Sequence, residues 1–117
     1  MINIYGIKNC DSVKKAIKFF KEHNLEYTLH DFKTIEVTSI MIEKWLQYNE
    51  LNKLFNKRGT TYRTLKLKEK NLSEDEIKIY LTQEPMLIKR PVVEYQKNNE
   101  NNVLVAFDLK IYEEVFL

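Results

Sequence analysis

A single cysteine, Cys10, stands in the segment IYGIKNCDSVKKA, between residues that read as a strand and residues that read as a helix. A sulfur at that junction meets the unpaired amide N–H groups and the positive dipole end of the helix. Thiolate is the nucleophilic form of cysteine, and its pKa falls to roughly 3.5–7.5 in such surroundings. Lys8, Lys14 and Lys15 add positive charge nearby, and Asp11 opposes them. A lone cysteine is also one of the most often buried residue types, so a structural thiol is the alternative. The polar flanks Lys8, Asn9, Asp11 and Ser12 favour the reactive reading.

Arginine is the second signal. Of the 19 basic side chains only Arg58, Arg63 and Arg90 are arginine. A chain that uses lysine wherever charge suffices has kept arginine at three places, and a guanidinium differs from an ammonium in its planar bidentate fork. Arg90 precedes Pro91, which opens a strand where a missing N–H matters least. An X–Pro bond there can be cis and present backbone to a ligand, with Arg90 holding an anion beside it. Without such a context Arg90 reads more simply as a surface arginine before a strand-opening proline. In NKRGTTYR, Arg58 and Gly59 fit a loop that aims a guanidinium at an anion. They fit equally a helix C-terminus with Gly59 just past its end. Arg63 joins that segment or lies on the following helix.

Other residues carry less. His23 and His30 are isolated, and Ser12 has no histidine nearby to activate it. The aromatic residues Phe19, Phe20, Tyr27, Phe32, Trp45 and Phe107 read as core.

These side chains need elements to hold them. Residues 2–5 read as a strand broken by Gly6. From Ser12, the apolar residues Val13, Ala16, Ile17 and Phe20 trace one helical face, capped by Asp11 or Ser12 and fading near Asn24. Residues 25–31 alternate as a second strand, which completes a βαβ unit. From Thr38 to about Leu81 the pattern is helical, with a break over Asn56–Thr61. Within it Ser73 and Glu76 form a capping box. Residues 91–95 and 103–107 read as an antiparallel hairpin across the polar turn Gln96–Asn102. Asp108 caps a last helix. The expected architecture is α/β: a βαβ–ββα core with a small mixed sheet, and a helical insertion at about 38–82 packed beside it. All of residues 1–117 form one domain.

Bulk properties narrow the classes. At 44% hydrophobic and 12% aromatic residues, the chain can build a core and is not disordered. A net charge of +2 with acids and bases interspersed excludes the concentrated basic face of a nucleic-acid binder. No apolar run is long enough for a membrane span, and the start MINIYGIKNCD lacks a signal-peptide pattern. One cysteine forbids an internal disulfide and fits a reducing compartment. One cysteine and two separated histidines do not make a zinc site. The expectation is a cytoplasmic monomer that binds neither membrane nor nucleic acid directly.

In order and spacing, IYGIKNCDSVKKA, RGTTYR and IKRPVV resemble the arsenate reductase-like (ArsC/Spx) branch of the thioredoxin-fold superfamily, and most nearly its YffB-like subgroup. The resemblance covers essentially the whole chain. It implies a thioredoxin-like core with a helical insertion, a catalytic Cys10, a cis Pro91 and anion-binding arginines at Arg58 and Arg90. Arsenate reductases of this type carry a further arginine beyond the last motif, and here none follows Arg90. The YffB-like pattern implies instead a glutathione-dependent thiol reductase. Cys10 would attack a disulfide sulfur, Arg58 and Arg90 would hold a carboxylate or oxyanion, and Lys8, Asn9, Lys14 and Pro91 would line the substrate. With no second cysteine, glutathione or a thiol protein must resolve the adduct, and no tightly bound cofactor is implied. The alternative is an Spx-like regulator that binds RNA polymerase. A C-x-x-C switch of the Spx kind is absent, because Val13 occupies its fourth position.

Overall fold

The computed structural model describes residues 1–117 as two compact units. The sheet unit comprises Met1–Asp31 and Arg90–Leu117, and the helical unit Phe32–Lys89.

In the sheet unit, β1 (Ile2–Gly6), β2 (Tyr27–Asp31), β3 (Val92–Lys97) and β4 (Glu100–Val105) form one mixed sheet in the order β2-β1-β3-β4. β1 runs parallel to β2, as the connection through helix α1 (Asp11–Glu22) requires. It runs antiparallel to β3, and β3 pairs antiparallel with β4. The register sets Ile4 beside Leu29 and Val93, and Val93 beside Leu104. That row meets Ala16, Phe19 and Phe20 of α1 and Tyr112 of α6 (Leu109–Phe116) in one apolar cluster. Aromatic edges close it: Phe19 and Tyr112 have ring centroids 5.6 Å apart, Phe20 and Phe116 5.0 Å. The alternate residues of the strands point to the other face. There Tyr5 stacks on His30 with centroids 4.6 Å apart, and its hydroxyl donates to the buried carboxylate of Glu94 at 3.4 Å. Asn3 Oδ1 lies 3.0 Å from His30 Nε2.

Besides β2 starting at Tyr27 and β4 ending at Val105, three boundaries differ from the expectation. Gly6 does not break β1 but ends it, paired with Asp31. Its φ is not positive; the need for glycine is steric, because a Cβ there would lie 2.6 Å from Val13 Cγ2. The first turn of α1 therefore closes directly onto the end of β1. The hairpin strands extend to Lys97 and Glu100, leaving a two-residue turn, Asn98–Asn99, with φ of 55° and 63°. Asparagine tolerates that left-handed pair, which matches the twist of the flanking strands. The third is the cap of α1, taken up with the site below.

The helical unit carries α2 (Ser39–Leu46), α3 (Leu51–Leu54), α4 (Thr60–Thr64) and α5 (Glu74–Gln83), with single 3₁₀ turns at Leu67–Glu69 and Pro85–Leu87. The pattern read as one helical stretch is thus several short helices. Thr38 caps α2, and the Ser73–Glu76 capping box opens α5. Trp45, Leu54, Leu81, Leu87 and Ile88 are fully buried. Backbone bonds from Asn56 N–H to Leu87 O and from Lys89 N–H to Leu54 O, both 2.7 Å, bind residues 54–56 to residues 87–89. No helix is long and apolar enough to cross a membrane.

Candidate active site around Cys10

Ile7 is buried and anchors the loop that follows β1, while Lys8 and Asn9 are exposed. Cys10 itself is the N-cap of α1, with extended backbone (φ −138°, ψ 125°) and a carbonyl that accepts from Lys14 N–H at 2.9 Å. The expected caps were Asp11 and Ser12. The helix instead starts at Asp11, with Cys10 in the capping position. The correction matters chemically, since a cap side chain faces the helix's unpaired amides.

Cys10 is partly exposed. Burial pushes its thiol pKa up, but this is outweighed. The Val13 and Ser12 amides and the Arg90 guanidinium, which hydrogen-bonds the sulfur, together hold the thiol below its ordinary value. The cationic group acting on the sulfur is therefore Arg90. The side chains of Lys8 and Lys14 are exposed, and Lys14 is tied to Cys10 through its backbone.

Arg90 is half-buried two residues before β3, and the Arg90–Pro91 bond is cis. Its Nε is buried with no acceptor from the protein. Pro91 is buried, and its carbonyl accepts from Ala106 N–H at 2.8 Å. Ala106 lies at φ 73°, and its own carbonyl accepts from the Tyr112 hydroxyl at 3.2 Å. The corner that presents Arg90 is thus clamped through β4 to the sheet core. Sequence reading missed this clamp, since neither Ala106 nor Tyr112 carries a turn or site signal.

Arg58 belongs to the helical unit, where it is exposed. Of the two readings of RGTTYR, the structure selects the loop. Gly59 is the N-cap of α4 and not the end of a helix. A Cβ at Gly59 would lie 2.8 Å from Asn56 Nδ2, so the Asn56 carboxamide lies over it. Asn56 Oδ1 accepts from Arg58 N–H at 3.2 Å, and Arg63 Nη1 donates to the Arg58 carbonyl at 2.8 Å. Arg63 therefore shapes the loop that carries Arg58. The Asn-x-x-Gly spacing could have disclosed that turn. Cys10, Arg90 and Pro91 are brought together by the sheet unit. They assemble an activated sulfur beside a guanidinium fork, which suits attack on a sulfur–sulfur bond or on an oxyanion. No group of three or more His, Cys, Asp or Glu residues is gathered to hold a metal.

Comparison with known proteins gives the same picture. The sequence model of the ArsC family matches residues 5–115. An uncharacterized protein of Haemophilus influenzae is 37% identical over 117 residues, covering 99% of each chain. The global transcriptional regulator Spx of Lactiplantibacillus plantarum is 24% identical over 95 residues, covering 80% of this chain and 72% of its own. Among solved structures, the YffB protein superposes with a TM-score of 0.89 at 30% identity over 100% of both chains. An arsenate reductase (ArsC) related protein from Brucella melitensis gives 0.72 at 31% identity, covering 98% of this chain and 93% of its own. The fold is the thioredoxin-like one of these ArsC-type structures.

Proposed function

Because this chain belongs to the ArsC family, a family of thiol-dependent reductases, we propose that it is a monothiol reductase with glutathione as its reductant. The observation that carries this reading is Cys10 at the N-cap of α1, partly exposed, with its thiol pKa lowered by the first-turn backbone and by Arg90 against the effect of burial. In the first step the Cys10 thiolate attacks the glutathione sulfur of a mixed disulfide. A Cys10–glutathione disulfide forms, and the substrate sulfur leaves with the electron pair and takes a proton from water. In the second step a glutathione thiolate attacks that adduct, releasing oxidised glutathione and restoring the Cys10 thiolate. The net change reduces the mixed disulfide to the substrate thiol and oxidises one added glutathione thiol, whose sulfur pairs with the glutathione already carried by the substrate. No second cysteine exists to compete for the adduct, so the external thiol is obligatory.

Arg90 and Arg58 hold the carboxylates of glutathione by charge-assisted hydrogen bonds, and Lys8, Asn9, Lys14 and Pro91 contact the substrate around the sulfur. The Brucella relative is related to arsenate reductases. This chain has no arginine after Arg90, which supports a disulfide over arsenate as substrate. The protein acts as a cytoplasmic monomer without a tightly bound cofactor.

The similarity to Spx favours one other reading, a regulator that binds RNA polymerase with an incidental cysteine. Intact-mass spectrometry separates the two. With oxidised glutathione, one adduct should form on Cys10, vanish on addition of reduced glutathione, and be absent in Cys10→Ser. Failure to form or release the adduct, together with recovery of RNA polymerase on the immobilised protein, would support the regulator.

A further inference from the structure

The helical unit holds a second concentration of charge that the thiol chemistry does not use. A cavity of about 270 Å³ opens between residues 52–58 and Lys89. Lys53, Lys57, Arg58 and Lys89 line it, and no carboxylate does. This is unusual in a chain with 17 acidic residues and a net charge of +2, whose charges elsewhere alternate. Like charges gathered without a counter-charge repel one another, and a bound anion would relieve that repulsion.

The cavity is built, not merely decorated. Its floor is Phe55, which is buried and bridged to Ile88. The two backbone bonds from Asn56 to Leu87 and from Lys89 to Leu54 fix both walls against each other. The Lys57 ammonium lies 5.9 Å from the centre of the Phe55 ring and 3.5 Å from Asn52 Oδ1, on the rim of the cavity. The Arg58 backbone is set by its N–H bond to Asn56 Oδ1 and by Arg63 on its carbonyl.

We propose that this cavity binds a compact small molecule through a diphosphate group. Three of its four cations are lysines, point charges suited to phosphate, and the fourth is a guanidinium fork that takes two phosphate oxygens together. Four positive charges match a diphosphate better than a single carboxylate. The inference goes beyond the thiol reading and shares only Arg58 with it.

Inorganic pyrophosphate is the probe, titrated into isotopically labelled full-length protein and followed by amide resonances. The resonances of residues 52–58 and Lys89 should move and saturate. Lys53→Glu with Lys57→Glu should weaken binding roughly tenfold or more, as loss of charge-assisted hydrogen bonds does. Lys97→Glu with Lys110→Glu, exposed in the sheet unit, makes the same change in net charge and should leave binding unaltered. Cys10→Ser should bind as the parent does, whatever becomes of its thiol chemistry. If the glutamate pair disturbs the fold, Lys53→Gln with Lys57→Gln replaces it, and a loss is again required. No saturable shift, shifts centred on Cys10 and Arg90, equal losses in both charge-matched pairs, or equally tight binding of succinate would each overturn the proposal.

Discussion

Arg90 lowers the pKa of the Cys10 thiol through hydrogen bonding and charge, although eighty residues separate the two in the chain. The strand end at Gly6, packed against Val13 in the first turn of α1, delivers the sulfur. The Pro91 corner, held through Ala106, delivers the guanidinium. An arginine placed there both favours the thiolate and offers its fork to an incoming anion.

Replacing that arginine separates the two roles. Arg90→Lys keeps the charge and loses the bidentate fork, so capture of glutathione at Cys10 should slow roughly tenfold or more, given ~1.5–3 kcal/mol for a charge-assisted hydrogen bond. Arg58→Lys should slow it as well. Arg63→Lys should have a smaller effect, exerted through the Arg58 loop. Adduct formation by intact mass measures all three. Equal rates in the Arg90 and Arg58 variants and the parent would mean that neither arginine clamps an anion.

Gly6 should tolerate no side chain. Gly6→Ala drives a Cβ into Val13 Cγ2, and overpacking of this kind destabilises by about 1–3 kcal/mol. The first turn of α1 should shift with it, raising the Cys10 pKa. Val13→Ala makes room, so the double variant should lose less stability than the two single losses added together. Urea unfolding of the four proteins measures the coupling, and simple additivity would refute the contact.

Tyr5 predicts an alkaline effect on stability. Burial above all, then the Glu94 charge and their hydrogen bond, push its phenol pKa up to about 12. In the unfolded chain a tyrosine ionises near ~10. The folded state therefore holds the proton more tightly. The resulting stability is complete below the unfolded value and is lost as pH rises from there through about 12. Unfolding measured across this range should show a steeper decline in the parent than in Tyr5→Phe. Parallel curves would contradict the assignment.

Much of this was readable in advance, for identifiable reasons. The βαβ start, the capping box at Ser73 and the Asp108 cap rest on local periodicity and local hydrogen bonds, which the sequence displays directly. Cys10 and the Arg90–Pro91 pair were legible because glycine, proline, arginine and cysteine are rare here, and each stands where geometry demands it. The reason for Gly6 was not legible, since it lies in the position of Val13 in space. The same holds for the Tyr112–Ala106–Pro91 clamp and the Tyr5–Glu94 pair, which form only when distant strands register. The Asn98–Asn99 turn was overestimated in length because its polar flanks, Gln96 and Asn101, pair across the hairpin with a side-chain bond of 3.0 Å.

The central claim is that Cys10 is an activated nucleophile, and its alkylation rate against pH tests that claim most directly. The Val13 and Ser12 amides and Arg90 overcome the effect of burial and lower the pKa of the thiol. The rate of iodoacetamide modification should therefore rise through an inflection below the ~8.5 of a free cysteine. Arg90→Gln should move that inflection upward. An inflection at or above the free value in the parent, or one that Arg90→Gln leaves in place, would contradict the account.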